Sequence, residues 1–311
     1  MSRVSRYQAS FERFIKERDC YSGLSNLHKN SIKFKYQDKD CVIPIITLTV
    51  MGSLKKKNNL SYQVYYAATS SDFIRIMYEN FKKDNIKGVG ESCLAMAVKY
   101  WNLNINGIRK KVENDKLIKI NSMFMENVFT KVTEITSEDI KREFDDNKFT
   151  DLHRNFFKKE SNIVLDKFKN LKTLKEDCLH KIVKSGICKV IEISMLIGWY
   201  IGCGSEIQAI KLQTLAEDFG FLYKISNDFK NIKKDLGNIK DNYTENYVLN
   251  MGLQKSFEEF NDRKDSFIES AMLVDILTPT MSEVVNLLET TVEEAIDTTS
   301  PDLKSAYSIL N

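Results

Sequence analysis

Asn227, Asn231 and Asp235 are the residues of this chain whose types and spacing most clearly suit a chemical task. They recur at i, i+4 and i+8, so on an α-helix they lie along one stripe, each about 40° round from the last. Three oxygen-bearing side chains stacked in that way can hold a hard divalent cation such as Mg2+, which takes oxygen ligands. The segment leading into them is apolar and aromatic, with Leu212, Leu215, Phe219, Leu222, Tyr223 and Ile225. An oxygen cluster at the end of such a helix suggests a metal site at the mouth of a hydrophobic pocket. The plain alternative is a solvated helix end in which Asn, Asp and Lys simply face water.

Two further segments bear on the choice. Lys181-Ile182-Val183-Lys184-Ser185-Gly186 opens a long apolar run, and lysines at a helix start suit a phosphate oxyanion through charge and free backbone N–H groups. Taken alone, they read equally as surface lysines of a Lys-rich protein. Asn246-Tyr247-Val248 follows the stripe after a short polar turn.

The elements that must position these residues read as helices. Among 311 residues there are only 12 Gly and 3 Pro, so breakers are scarce and long uninterrupted helices are favoured over a loop-rich β fold. Periodicity predicts an amphipathic helix over residues 1–20, and helices over 60–82, 91–101, 118–134, 137–159, 161–172, 174–203, 205–236, 243–275, 279–297 and 301–309. Val42–Met51 is β-branched enough for a strand but fits a buried helix better. Ser300, Pro301 and Asp302 form a helix-start signal. About ten helices with short connections predict an all-α fold in one domain spanning 1–311, with residues 1–60 as its least defined N-terminal helices.

Composition narrows the function classes. Basic and acidic residues number 46 and 43, a balance that argues against nucleic acid as partner. Cys20, Cys41, Cys93, Cys178, Cys188 and Cys203 show no metal-ligand spacing and read as reduced thiols of a cytoplasmic protein. Residues 1–20 have no signal-peptide core, and the most apolar window, 187–204, is interrupted by Lys189 and Glu192, so no membrane span is expected.

The run Tyr223-Lys224-Ile225-Ser226-Asn227-Asp228-Phe229-Lys230-Asn231, continued to Asp235, resembles the second metal motif of the class I isoprenoid synthases. That superfamily comprises trans-polyprenyl diphosphate synthases and terpene synthases, which share an α-bundle fold around a central apolar cavity. Asn227 and Asp228 match the terpene synthase form of the motif, with Asn231 and Asp235 standing in for its Ser and Glu. Asn246-Tyr247-Val248 resembles the Asn-x-Val that follows it, and Lys181–Gly186 sits where the family keeps a diphosphate-contacting segment. The resemblance covers roughly residues 175–275. Upstream, the family's first Asp-rich motif has no clear counterpart; Glu79 and Asp84 are the acids nearest its expected place, and the Asp145-Asp146 pair lies too close to Asn227.

The resemblance implies a divergent member with about two or three Mg2+ ions bridging protein oxygens to a prenyl diphosphate substrate. It assigns catalysis to Asn227, Asp228, Asn231 and Asp235, and metal ligation to Asn227, Asn231, Asp235, Glu79 and Asp84. Lys181, Lys184 and Lys234 would contact the diphosphate, while Phe219, Tyr223 and Trp199 would wall the pocket, and a homodimer fits the same family. The expected activity is that of a terpene synthase, which ionises an allylic prenyl diphosphate such as farnesyl diphosphate. A trans-polyprenyl diphosphate synthase is the alternative, since it differs only in what attacks the cation. A catalytically inactive member acting as a binding subunit is the second alternative, because losing the first Asp-rich motif leaves few metal ligands.

Overall fold

Cys41 opens the most apolar element of the chain, helix α3 (Val42–Ser53), in which Val42 to Val50 are all buried. A helix apolar on every face must be covered on every face, which is why its β-branched content gives a core helix and not an exposed strand. Pro44 is accommodated because it falls in the first turn, where its missing N–H would have no intrahelical partner.

The computed structural model describes residues 2–36, 41–54, 64–81, 88–109, 112–137, 140–145, 172–237 and 243–299. Around α3 the elements are α1 (Arg3–Glu17), α2 (Asn26–Tyr36), α4 (Val64–Phe81), α5 (Val89–Ile108), α6 (Asn114–Met123), a π-helical turn (Phe124–Val128) and α7 (Phe129–Ser137). Then come β1 (Phe144–Asp145), β2 (Thr173–Leu174), α8 (Glu176–Val183), a second π turn (Lys184–Cys188), α9 (Lys189–Ile201), α10 (Glu206–Ala209) and α11 (Lys211–Gly237). The chain closes with α12 (Tyr247–Met251), α13 (Leu253–Leu273) and α14 (Pro279–Thr299). The all-α expectation holds, and no helix of the described residues is long and apolar enough to cross a membrane.

The chain forms two compact units, the first of Met1–Glu138, Cys188–Glu217 and Ile268–Val284. There α3 packs against α4 and α9, and α4 lies along α5. Small side chains set the spacing. The Thr47 hydroxyl is 2.9 Å from that of Ser71 and 3.1 Å from the Ser194 carbonyl, and Ser70 donates to the Ala97 carbonyl at 2.8 Å. Stacked rings of Phe73 and Tyr100, 5.6 Å apart, and of Trp101 and Phe124, 3.7 Å apart, fill the layers between helices.

The second unit comprises Asp139–Ile187, Asp218–Phe267 and Val285–Asn311. Its strands form an antiparallel ladder in which Phe144 faces Leu174 and Asp145 faces Thr173. This corrects the expected helix over 137–159, of which residues 140–145 are non-helical; residues 146–171, with Asp146, and 300–311, with the Ser300-Pro301-Asp302 signal, lie outside the described residues. The expected helix over 243–275 is interrupted by Gly252, whose φ of 83° only glycine adopts without strain. The expected start of a helix at Lys181–Gly186 is also corrected: Lys181 is in the last turn of α8, and the chain runs on through the π turn into α9.

Gly198 on α9 marks the closest approach to α3: a Cβ there would stand 2.4 Å from the Thr47 carbonyl oxygen and 3.2 Å from the Met51 nitrogen. Both are backbone atoms and cannot swing aside. Gly198→Ala is therefore expected to cost about 1–3 kcal/mol, read as a lowered urea midpoint at unchanged slope; an unchanged midpoint would show that the crossing is loose.

Candidate functional site

Asp228 is the residue on which the second unit's polar chemistry converges. It is 6% exposed, and its carboxylate receives the Lys224 ammonium from one turn back on α11 and the backbone N–H of Tyr247. Lys224 also donates to the Glu245 carbonyl at 2.8 Å. Burial pushes the Asp228 carboxyl up from its ordinary value, while Lys224 and the Tyr247 N–H pull it back down. The Tyr247 nitrogen belongs to the first residue of α12, so Asp228 satisfies one of that helix's free donors. Asn246 caps the same helix, its Oδ1 accepting the Leu249 N–H at 3.1 Å. Asp228, expected to be catalytic, is thus placed at a buried position where its carboxylate is engaged by Lys224 and the first N–H of α12.

The other three motif residues occupy the half-buried side of α11. The Asn227 side-chain nitrogen donates to the Tyr223 carbonyl at 3.0 Å, and that of Asn231 to the Asn227 carbonyl at 2.8 Å. With each amide N–H group turned back on its own helix, the amide oxygen is what each presents to a ligand. Asp235 accepts from the Asn246 side-chain nitrogen through Oδ2 at 2.8 Å, which leaves Oδ1. Two amide oxygens and one carboxylate oxygen at successive turns fit one hard divalent cation. Among the described residues no group of three His, Cys, Asp or Glu side chains could hold a metal, so this mixed set is the candidate.

In the first unit, α4 carries the acids nearest the expected first motif. Glu79 accepts from Arg75 Nη1 at 2.7 Å and Asp72 from Arg75 Nε at 2.8 Å, with Asp72 and Arg75 both buried. A guanidinium already neutralises both carboxylates, so a metal ion would have to displace it and leave it buried without its partners. Metal ligation by Glu79 would therefore require breaking its pair with Arg75; Asp84 lies outside the described residues.

The remaining assignments divide. Lys181, Lys184 and Lys234 are exposed, but the backbone N–H of Lys184 bonds to the His180 and Lys181 carbonyls, so the helix start that would have aided anion binding is missing. Phe219 is fully buried against Phe267, ring centroids 5.1 Å apart, and Tyr223 is half-buried. Trp199 belongs to the first unit, where its indole N–H donates to the Ser205 carbonyl at 2.9 Å and its ring covers Gly204. It anchors the turn after α9, a structural duty where a pocket wall was expected.

Sequence reasoning missed a second buried network beside the stripe. Asp218 accepts from Arg263 and Ser266 at 2.8 and 2.7 Å, and the Arg263 guanidinium lies 4.3 Å over the Phe221 ring. His180, its pKa lowered chiefly by burial, stacks on Tyr247 and makes a 2.8 Å hydrogen bond with that residue's hydroxyl. The i+3 and i+4 spacing of Asp72, Arg75 and Glu79 was a signal that could have revealed the ion pairs of α4.

No protein-family model and no curated protein matches the sequence. Solved structures do match over nearly the full length. A geranyltransferase from Helicobacter pylori, complexed with magnesium and isoprenyl diphosphate, aligns with TM-score 0.56 at 13% identity over 94% of this chain and 99% of its own. A geranyltransferase from Legionella pneumophila gives 0.54 at 10%, covering 94% and 96%, and a geranyltranstransferase from Methanosarcina mazei 0.52 at 12%, covering 92% and 97%. The chain has the all-α isoprenoid synthase fold.

The geometry separates the buried Asp228 from the half-buried Asn227, Asn231 and Asp235. Asp228→Ala leaves Lys224 half-buried without its carboxylate and is expected to cost about 3–5 kcal/mol, whereas Asn227→Ala should stay within about 0.5 kcal/mol of the native chain. Urea unfolding of the two variants measures both; equal losses would contradict the division.

Proposed function

We propose that this chain binds an allylic prenyl diphosphate through one divalent cation held by Asn227, Asn231 and Asp235, and that it transfers the prenyl group as a trans-prenyl diphosphate synthase does. The observation that carries the reading is the oxygen-lined stripe of α11 in a fold whose full-length neighbours are geranyltransferases, one of them complexed with magnesium and isoprenyl diphosphate. Those neighbours support transfer to isopentenyl diphosphate ahead of cyclisation, which reverses the order suggested by the terpene-synthase-like Asn227 and Asp235.

When bound, the cation would supply Lewis-acid stabilisation of the charge on the diphosphate leaving group. The chain's own part is to present two neutral oxygens and one carboxylate to it. A single carboxylate neutralises less of the ion's charge than an acid-rich cluster would, so more of that charge remains for the diphosphate oxygens. Lys234, exposed beside Asp235 in the sequence, adds a cation for the same anion.

Arg75 favours a second reading. With Asp72 and Glu79 committed to it, the described acids of α4 are already paired with a cation, and a chain limited to one metal ion suits binding better than ionisation. In that case the protein is a prenyl-diphosphate-binding subunit without turnover of its own.

A product assay decides between them: purified protein, Mg2+, and geranyl, farnesyl or geranylgeranyl diphosphate, each with and without isopentenyl diphosphate. Longer diphosphates formed only when isopentenyl diphosphate is present are the expected result. Hydrocarbons or alcohols formed without it would restore the terpene synthase assignment. No product from a folded chain that still binds the diphosphates would leave the binding subunit.

A further inference from the structure

The Asn246 side chain is 3% exposed and uses every polar atom it has. Its Oδ1 caps α12 at the Leu249 N–H, 3.1 Å away. Its Nδ2 reaches the other way, donating to the Asp228 carbonyl at 3.0 Å and to Asp235 Oδ2 at 2.8 Å. The cap fixes the amide's orientation, so the two N–H bonds can be aimed only at α11. Asn246 is itself held: its backbone N–H donates to the Thr244 hydroxyl at 3.1 Å, and its carbonyl accepts from Asn250 Nδ2 at 2.7 Å. Asn250 in turn accepts the Leu174 N–H at 2.7 Å, which ties the assembly to β2.

Asp235 needs such a brace. It sits in the last turns of α11, half-buried, where a carboxylate would otherwise sample several rotamers. Asn227 and Asn231 are oriented by bonds to their own helix, whereas Asp235 accepts its bond from Asn246, beyond that helix. The one charged oxygen of the stripe is therefore set by a residue eleven positions on, beyond the end of the helix that carries it.

We infer that Asn246 is a positioning residue for the cation site: its amide holds Asp235 Oδ2 so that the remaining carboxylate oxygen stays in register with the amide oxygens of Asn227 and Asn231. The inference rests on the cation site proposed above and adds a residue to it that touches neither metal nor substrate. It also gives the Asn246-Tyr247-Val248 segment a function in this chain beyond starting a helix. A hydrogen bond to a metal ligand commonly governs metal affinity by about tenfold or more.

The test uses Mn2+ as the probe on the full chain, titrated by electron paramagnetic resonance, alongside the metal-free melting temperature. Asn246→Ser keeps a capping oxygen for α12 but is too short to reach Asp235. The expected result is a melting temperature within a few degrees of the native chain and Mn2+ binding weakened about tenfold or more. In an Asp235→Ala background the same substitution should weaken Mn2+ binding no further. Asn246→Thr, which also caps, gives the same comparison if the serine variant fails to fold. Native Mn2+ affinity in a folded Ser or Thr variant would overturn the inference and leave Asn246 a cap only. An equal loss in the Asp235→Ala background would overturn it too, because the effect would not pass through Asp235. A native chain that binds no Mn2+ would remove the cation site itself, and is told apart by the wild-type titration alone.

Discussion

A buried carboxylate must find cations and donors or it will not stay charged, and Asp228 imposes that demand on the whole second unit. Lys224 answers it from one turn back on α11, and the first N–H of α12 answers it from beyond the connecting turn. Once α12 is held there, Asn246 falls beside the Asp228 carbonyl and Asp235, and Asn250 reaches back to Leu174 on β2. The half-buried stripe is thus a consequence of the buried face of the same helix. Asn227, Asn231 and Asp235 point where they do because Asp228, on the adjoining face, cannot turn.

The first unit follows a different logic. Its core is built from small hydroxyl residues and stacked rings that let α3, α4, α5 and α9 approach closely, with Gly198 at the tightest point. Arg75 runs a buried charge through that packing and is balanced by Asp72 and Glu79 on its own helix. The arrangement is self-sufficient: it needs no ion, and an ion entering it would strand a guanidinium.

Much of this was legible in the sequence, and the failures have identifiable causes. The stripe was readable because a spacing of i, i+4, i+8 states which face a residue occupies. Val42–Val50 was readable as a helix because an unbroken apolar run of that length suits burial on all sides. The burial of Asp228 was not legible, because a motif places it next to Asn227 while one residue along a helix is a turn of about 100° and here leads into the core. Lys181 and Lys184 were misread because Ser185-Gly186 resembles a helix start, whereas the structure passes through them as a π turn. The ladder between Phe144–Asp145 and Thr173–Leu174 joins residues too far apart for local periodicity to register. Asn246 looked like an ordinary cap, and its bond to Asp235 exists only once two helices have been brought together.

The central claim is a single divalent cation, bound at Asp235 and shared with a diphosphate. The most direct measurement is the number of Mn2+ ions retained per chain in the presence of saturating geranyl diphosphate, followed by paramagnetic resonance in the native protein and in Asp235→Ala. The account predicts one ion in the native chain and a fraction of an ion, weakly held, in the variant. Two or three ions, or one ion that survives the loss of Asp235, would contradict it.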